Sequence, residues 1–448
     1  MSEPGSVAGG RRVDVEDAAS SEPAWVANRG LIFGIIVGGG LAGVGLLFSR
    51  PELVLVAAPI LVAVVWTLAR RPKTRARVEV GNLVGSRSST DSVSYEVSFE
   101  LPADSDGVAV RLYARGRERW EVVVDRATAV RLAGEIGIVH SGPQEIVRVD
   151  YELFAAEGGY LTVPLPGPRS RRVISPKTVP LRRLPLPFRM LGLAGGHGSA
   201  RPGDGGEFRD ISQFAPGDRL RRIDWKVTVR RAQAPGDLYV RRSFATADAT
   251  ALIMLDARDD VTELVTNWNS STATLDEPTS LDVARDAAAS IATAYIKSGD
   301  RVGFQDLSSL GRIIAPGGGT RQLHRVLPAI ARTAPKGAPV RRLRAPLIPA
   351  GAIVYVISTF LDDEAARMAE LWRVAGHRIV AVDTLVPTST AKLAPAQRAA
   401  VRIISMERQD RLSALSALGI DVIHWLSADG VTPESQLSLY ARLSRGPR

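Results

Sequence analysis

Apolar residues divide this 448-residue chain into regions of different periodicity, beginning with two uncharged runs. Leu31 to Phe48 and Leu53 to Ala69 are each close to the length that crosses the roughly 30 Å hydrocarbon layer of a bilayer. Because only residues 49–52 separate the runs, the pattern predicts a transmembrane helical hairpin over residues 31–70. A pair of buried core helices and a cleaved signal peptide are the alternatives. The lack of charge on any face disfavours buried core helices. A second apolar run directly after the first disfavours a cleaved signal peptide.

Charges around the hairpin predict its orientation. The loop carries one cation, Arg50, whereas the second run is followed by Arg70, Arg71, Lys73, Arg75 and Arg77. Basic residues favour the cytoplasmic side, so we expect a multi-pass protein of the plasma membrane with the bulk of the chain cytoplasmic. The tail of residues 1–30 is rich in small and acidic residues, which is typical of disorder. Gly39, Gly43 and Gly45 either let the two helices approach closely or are ordinary glycines of a membrane helix.

Period-two alternation replaces the apolar runs over residues 78–180. Segments such as "SVSYEVSFEL" and "EIVRVDYEL" alternate between apolar and polar positions and are separated by turn residues. This pattern predicts short antiparallel strands in a β-sandwich-like domain. The following residues 181–206 are rich in Pro, Gly and Arg, and are predicted to be a linker.

The last region, residues 248–448, alternates short apolar runs with helical stripes. "TALIMLD" and "GAIVYVIS" read as strands buried on both faces, and the segment from Ser280, a candidate cap, to Gly299 reads as a helix. Strands that alternate with helices in this way form a mostly parallel sheet covered on both faces. The fold class is therefore predicted to be α/β, with an open, doubly wound carboxy-terminal domain.

Composition removes some kinds of chemistry. The chain has no cysteine, so it has neither disulfides nor thiolate sites, and its five histidines show no short metal-ligand spacing. The formal net charge of +10 allows an anionic partner but identifies none. We find no phosphate-binding loop, no nucleophile elbow and no dinucleotide fingerprint.

Carboxylates lie after several predicted strands of the carboxy-terminal domain. The loops after Asp256, Gly317 and Ser358 read "ARDD", "GGTRQ" and "TFLDDE". Ligands of such sheets bind at the carboxyl ends of the strands, and oxygen atoms from three loops could hold Mg²⁺. The alternative is that these acids cap helices or face solvent.

The segment of residues 207–247 begins with "EFRDISQFAPGDRLRRIDW", in which acids, bases, a turn and aromatics lie close together. Pro216, Gly217 and Asp218 predict a turn. The mixed charges favour an internal ion-pair network, in which we expect Asp224→Ala to lower the folded yield. A docking surface for a partner protein is the alternative, followed by a pair of catalytic carboxylates. Nucleic-acid binding is not expected, because the aromatics do not interleave with the basic residues.

These residues, together with "LYVRRSF" and an apolar strand that ends in Asp, resemble the signature of the bacterial domain-of-unknown-function family fifty-eight. Two membrane helices in front of the signature fit the same family. The resemblance implies a von Willebrand factor A-like carboxy-terminal domain and a gene beside an AAA+ ATPase of the MoxR type. The signature residues that it implies for interaction or structure are Glu207, Phe208, Arg209, Pro216, Gly217, Asp218, Arg222, Ile223, Asp224 and Trp225.

The resemblance also implies a metal-ion-dependent adhesion site, from which this chain departs. Asp256, Asp260 and Thr320 are the residues that match its pattern, but Arg258 places a cation where an oxygen ligand belongs. We therefore expect no cofactor, and Mg²⁺ at a degenerate site remains the alternative.

The sequence as a whole predicts a membrane-anchored interaction protein without enzymatic activity. The expected partners are a MoxR-type ATPase, an unknown client protein and the lipid bilayer, in the assembly or activation of membrane or envelope proteins. The alternative is a metal-dependent hydrolase that uses Asp256, Asp260 and Asp362 with a bound water.

Overall fold

The structure is a computed structural model whose contacts divide the chain into two compact units. The first unit comprises residues 1–139 and 144–172, and the second comprises residues 140–143 and 173–448. The structure describes residues 24–73, 79–80, 92–114, 117–125, 129–190, 195–234, 236–268, 277–308, 313–335, 344–391, 393–427 and 429–443. Arg75, Arg77 and most of the tail predicted to be disordered lie outside these residues.

The first unit begins with a short strand and two helices. Strand β1 (Trp25–Ala27) precedes helices α1 (Arg29–Leu47) and α2 (Pro51–Ala69), both of which are long and apolar enough to cross a membrane. Few residues of either helix are buried, so their apolar side chains are exposed over most of the surface. The β1 strand falls within the tail that composition assigns to disorder, because pairing with a distant strand is not visible in local composition.

Glycines set the distance between α1 and α2. A Cβ atom at Gly38 would lie 3.1 Å from side-chain atoms of Ile60 and Leu61, and one at Gly45 would lie 2.8 Å from Val54. These positions lack room for a larger side chain, whereas Gly39 and Gly43 have open space. Of the three glycines that the sequence offers for close helix approach, Gly39, Gly43 and Gly45, it is Gly45 that lies against the other helix.

Antiparallel strands complete the first unit. They are β2 (Glu79–Val80), β3 (Ser92–Glu100), β4 (Gly107–Ala114), β5 (Arg117–Asp125), β6 (Ala129–Gly137), β7 (Gly142–Ala155), β8 (Tyr160–Thr162) and β9 (Leu165–Ile174). One sheet has the order β1-β8-β7-β4-β5 with β9 beside β7, and another has the order β2-β3-β6. The inward-facing residues alternate along β3 and β4, and Phe99 contacts Tyr151 edge to face at 5.7 Å between ring centroids. The alternation predicted from sequence thus corresponds to strands with one buried face.

The second unit carries the signature segment on a two-stranded ribbon. Strand β10 (His197–Gln213) pairs with β11 (Tyr239–Ala247) in antiparallel register, with several register shifts. Between the strands lie a 3₁₀ turn, Leu220–Arg222, and the short helix α3 (Trp225–Arg231).

A six-stranded sheet forms the body of the second unit. Its elements are β12 (Thr250–Leu255), α4 (Ser280–Lys297), β13 (Arg301–Asp306), β14 (Ile314–Gly317), α5 (Gly319–Ala331), β15 (Ala352–Ser358), α6 (Glu364–Val374), β16 (Arg378–Asp383), α7 (Pro395–Ala417), β17 (Asp421–His424) and α8 (Pro433–Leu443). The strand order is β14-β13-β12-β15-β16-β17, and every pairing is parallel except that of β13 with β14. Helices α4, α5 and α8 contribute to the core on one face, and α6 and α7 contribute to the core on the other.

Two local features differ from the sequence prediction. Thr279, and not Ser280, is the N-cap of α4, and it forms a capping box with Asp282. The loop after Gly317 lies at the amino ends of the parallel strands, because β14 runs antiparallel and Gly317 pairs with Val302 near the start of β13. A short antiparallel strand has no periodic signal of its own, which is why its direction was not predictable.

Residues 173–188, which precede β10, belong to the second unit. Leu181 is buried in the core of this unit, and the backbone N–H of Val179 donates to Ser290 Oγ at 2.9 Å. Tyr295 Oη donates to Pro185 O at 2.5 Å, and Arg378 donates to Leu186 O at 2.8 Å. We call residues 173–188 the strap. Residues 181–188 of the strap fall within the predicted linker, and polar side chains of the second unit bond backbone groups of the strap.

Candidate functional site

The carboxyl ends of β12 and β15 lie side by side in the middle of the sheet. These strands are paired in parallel from Thr250 opposite Ala352 to Leu255 opposite Ile357, so the loops that follow them emerge at the same edge. In an open sheet this is the switch point, where the strand order reverses and ligands commonly bind. The sequence places Asp256 and Ser358 there, and the structure brings them together.

A guanidinium lies between the carboxylates of this edge. Arg258 donates to both oxygens of Asp256, from Nε at 2.8 Å and from Nη2 at 2.7 Å. It also reaches Asp362, with Nη1 2.7 Å from Oδ2 and Nη2 3.0 Å from Oδ1. Ser358 Oγ donates to Asp256 Oδ2 at 2.9 Å. The exposed fractions of the Arg258 and Asp256 side chains are 8% and 2%, so the pair is shielded from water. We call Asp256, Arg258, Ser358 and Asp362 the edge cluster.

A third carboxylate lies beside the edge cluster. Thr359 Oγ1 donates to Asp259 Oδ2 at 2.7 Å. Burial raises the pKa of Asp259 and of Asp362, and the neighbouring carboxylates raise both further. Burial alone would lower the pKa of Arg258, but its hydrogen bond to Asp256 and the surrounding carboxylates outweigh burial and raise it. The guanidinium therefore stays charged and balances several acids at once.

The residues proposed for a metal site do not converge. Asp260 hydrogen-bonds to Thr279, and burial raises its pKa. Thr320 lies at the start of α5, directly after β14, and thus at the opposite edge of the sheet from Asp256. Among the residues that the structure describes, no group of three or more His, Asp or Glu side chains could hold a metal ion. The edge cluster offers a cation of its own in place of a set of free oxygen ligands.

A second charged group lies at the same edge, after β16 and β17. The Asp383 carboxylate contacts His424 Nδ1 at 2.6 Å and the Arg408 guanidinium on α7. Burial would raise the pKa of Asp383, but His424 and Arg408 outweigh it and hold that pKa below its usual range. The same hydrogen bond raises the pKa of His424. This group was not among the residues predicted from the sequence, although Asp383 ends a buried strand and Asp256 directly follows one.

Helix α7 holds the loop after β15. Arg408 Nε donates to Thr359 O at 2.7 Å, and Arg411 Nη1 donates to Phe360 O at 3.0 Å. Phe360 has a φ angle of 54°, which is uncommon for a residue other than glycine. Two arginines of one helix therefore fix the loop that carries Asp362.

A further buried group that the sequence did not indicate lies at the start of α4. His140 Nδ1 lies 2.7 Å from Asp282 Oδ2, and the N–H and hydroxyl of Ser141 donate to Asp282 Oδ1. Arg285 donates to Ser141 O at 2.9 Å and to Thr333 O at 2.7 Å. Because the serine hydroxyl bonds the carboxylate and not the imidazole, the arrangement lacks the order of a hydrolytic triad. It fixes residues 140–143 on the second unit.

The Pro216–Gly217 turn forms as predicted. Gly217 has a φ angle of 103°, and the Asp218 N–H donates to Ala215 O at 3.0 Å. Asp218 Oδ2 in turn accepts from Ala215 N–H and from Arg242 Nη2, both at 2.9 Å. The hydrogen bond from Arg242 lowers the pKa of Asp218. The hydrogen-bonded arginine partner of Asp218 thus comes from β11, and the charge of Arg222, which follows the turn in sequence, also lowers the pKa of Asp218.

Two further charged residues of the signature segment, Asp224 and Arg222, bind backbone groups. Asp224 is the N-cap of α3 and accepts from Val227 N–H at 3.1 Å, while its own N–H donates to Tyr239 O at 2.8 Å. Arg222 Nη1 donates to Gly203 O at 3.0 Å. Ile223 forms an isolated bridge with Val240. These contacts hold α3 against the ribbon.

The remaining signature residues lie on β10. Glu207 is exposed, and Arg209 Nε lies 2.9 Å from Asp210 Oδ2. The ring of Phe208 is half exposed and has the Arg241 guanidinium 5.2 Å from its centroid. Pro216 precedes Gly217 in the turn.

Exposed apolar side chains lie around α3. The exposed fractions are 69% for Leu220, 64% for Trp225 and 83% for Val229. Trp225 and Val229 are four residues apart on the helix and therefore share a face. We call Leu220, Trp225 and Val229 the apolar patch. Large apolar side chains that stay exposed on fixed elements are typical of interaction surfaces.

The protein is thus a mixed α/β protein with several sheets, whose two amino-terminal apolar helices are suited to a membrane. Residues 210–402 match the sequence model of the family described as protein of unknown function DUF58, which supports the resemblance drawn from the signature residues. The matched residues begin within β10 and end within α7, so they contain the apolar patch and the edge cluster. No curated protein matches the chain.

Proposed function

We propose that the protein is a membrane-anchored interaction protein whose apolar patch docks a MoxR-type AAA+ ATPase in the assembly or activation of membrane or envelope proteins. The observation that carries the proposal is the apolar patch. Trp225 and Val229 are exposed, although α3 is held by the Asp224 cap and by Tyr239 N–H, which donates to Thr228 Oγ1 at 3.0 Å. An aromatic side chain on a fixed element binds a partner with little loss of conformational entropy.

Basic residues near the patch bear on the kind of partner. Arg219, Arg221, Lys226, Arg230 and Arg231 lie on the same turn and helix as the apolar residues. Cations around an apolar centre favour a protein surface that carries acids at its rim. Nucleic acid is not proposed as the partner, because only Trp225 offers a stacking surface within this group.

The strand order supports a von Willebrand factor A-like fold for the second unit. If the six strands are numbered by their order along the chain, their spatial order across the sheet is 3-2-1-4-5-6. The third strand, β14, is the antiparallel one. The observations favour no catalytic alternative. A hydrolase built on Asp256 and Asp362 would need free carboxylates, and Arg258 binds both.

Photo-crosslinking in cells tests the docking proposal. A photoreactive amino acid at Val229 is expected to capture an AAA+ ATPase, which mass spectrometry identifies. The matched control is Val374 at the end of α6, which has an exposed fraction of 84% but lies outside the patch. Equal capture of the ATPase at both positions, or none at Val229, would contradict the proposal.

Cysteine labelling tests the proposed orientation, with most of the chain in the cytoplasm. The chain has no cysteine, so a single introduced thiol reports its own side of the membrane. With a membrane-impermeant maleimide on whole cells, Ser49→Cys in the loop between α1 and α2 is expected to react. Ser405→Cys on α7 is expected to react only after lysis. The reverse pattern would place the second unit outside the cell.

A further inference from the structure

The von Willebrand factor A-like fold, which the proposed function assigns to the second unit and on which this inference rests, implies a divalent cation at the switch point, and the residues here do not fit one. The fold's metal site needs free carboxylate and hydroxyl oxygens. In this chain, both oxygens of Asp256 accept from Arg258, and Oδ2 also accepts from Ser358. Both oxygens of Asp362 lie within 3.0 Å of the same guanidinium.

We infer that the Arg258 guanidinium permanently replaces the divalent cation of this site, so that the second unit keeps its switch-point loops in place without metal. The chain supplies the cation from its own loop, two residues after the first carboxylate. The planar fork of Arg matches one carboxylate with two hydrogen bonds and leaves an N–H edge for a second.

Three properties of the Arg258 guanidinium support its role as the replacement cation. First, the guanidinium bridges the loop after β12 to the loop after β15, which is the connection that a metal ion would make. Second, the Arg258 side chain is 8% exposed, so little water competes for its hydrogen bonds. Third, Asp259 lies close enough to add a further negative charge, which the guanidinium also balances. Without Arg258, the edge cluster would hold the carboxylates of Asp256 and Asp362 and no cation of its own.

Thermal unfolding of the full chain in detergent tests this replacement. The wild-type melting temperature is expected to be the same with a chelator and with millimolar Mg²⁺, Mn²⁺ or Ca²⁺. Arg258→Ala is expected to melt lower by about 10 °C in the chelator. Divalent ions are expected to restore part of this loss, because the vacated space is lined by carboxylates. Arg258→Lys keeps the positive charge, so its melting temperature should fall less than that of Arg258→Ala and should not change with divalent ions.

Arg367→Ala is the matched control, because Arg367 pairs with Glu364 at 2.8 Å beside the same loop. It should show no response to metal. A metal-dependent melting temperature of the wild type would overturn the inference. So would an Arg258→Ala protein that melts equally with and without divalent ions.

A double variant covers the case in which Arg258→Ala does not fold. Asp362→Asn added to Arg258→Ala removes one carboxylate that lost its counter-charge, so the double variant is expected to fold and melt higher than the single one. If the double variant is no more stable, the guanidinium acts by filling space and not as the replacement cation.

Discussion

The signature segment and the edge cluster are both rich in acids and bases, yet their charges do different things. In the signature segment, Asp224 caps a helix and Arg222 binds a backbone carbonyl. In the edge cluster, Arg258 and Asp256 bind each other out of reach of water. The sequence interpretation favoured an internal network in the first region and left metal ligands open in the second. The signature segment also contains the Asp218–Arg242 ion pair, but these side chains are 20% and 30% exposed, so the two regions differ in the burial of their opposite charges and not in charge density.

The largest loss of stability is expected when a carboxylate of the edge cluster is removed. Asp256→Ala leaves a buried guanidinium without its main partner and should lower the free energy of unfolding by about 3 to 5 kcal/mol. Denaturant unfolding of the full chain in detergent measures this. The control is Asp363→Ala in the loop after β15, whose side chain is 83% exposed and whose loss should stay within about 0.5 kcal/mol. Similar losses for both variants would remove the distinction drawn from burial.

A smaller loss is expected for the signature segment. Asp224→Ala removes a helix N-cap, which costs about 1 kcal/mol. This loss is smaller than the loss for a broken buried ion pair. A broken buried pair was the reason why the sequence interpretation expected Asp224→Ala to lower the folded yield. Asp224→Ser keeps a capping oxygen without charge and should recover most of the loss in the same denaturation experiment. A serine variant as weak as the alanine variant would show that the charge of Asp224 matters after all.

The edge also contains a titrating pair, so pH distinguishes the two regions further. The pKa of His424 is raised in the folded protein by its hydrogen bond to Asp383. The charged pair therefore stabilises fully below the unfolded-state pKa of about 6.5 and loses its effect as pH rises through the raised value. Melting temperature is expected to fall over this range in the wild type. His424→Gln should remove that part of the pH dependence, and an unchanged pH profile would assign it to other groups.

The smallest effect on stability is expected at the apolar patch. Trp225→Ala removes an exposed side chain and should change the free energy of unfolding by no more than about 0.5 kcal/mol. Capture of the ATPase through a crosslinker at Val229 should nevertheless fall in this variant. A large loss of stability would show that Trp225 supports the fold and does not serve the surface.

Much of the fold follows from periodicity, because the elements with long regular patterns bury one or both faces. The two apolar helices, the alternating strands of the first unit and the buried strands such as β12 and β15 have the predicted type. Elements that depend on distant partners were not predictable. The strand β1 exists through its pairing with β8, and β14 gains its direction from β13.

The site was predictable only in part for a related reason. The position of Asp256 after a buried strand is a local signal, and so is the cation two residues later. That Arg258 also reaches Asp362, more than a hundred residues away, depends on the pairing of β12 with β15. Thr320 matches a pattern along the chain but lies at the other edge of the sheet, because β14 runs antiparallel. Asp260 also matches the pattern, but its side chain hydrogen-bonds to Thr279.

The strap has a practical consequence for anyone who divides the protein into pieces. The family match begins at residue 210, whereas the buried Leu181 and the groups bonded to Tyr295 and Arg378 come before it. A fragment that starts at the match would lack the buried Leu181 side chain and one backbone acceptor each for Tyr295 and Arg378. A piece that starts near Val173 keeps these contacts, but it still lacks His140, which contacts Asp282 in the first turn of α4. The first residue of the family match and the first residue of the folded unit therefore differ in this chain.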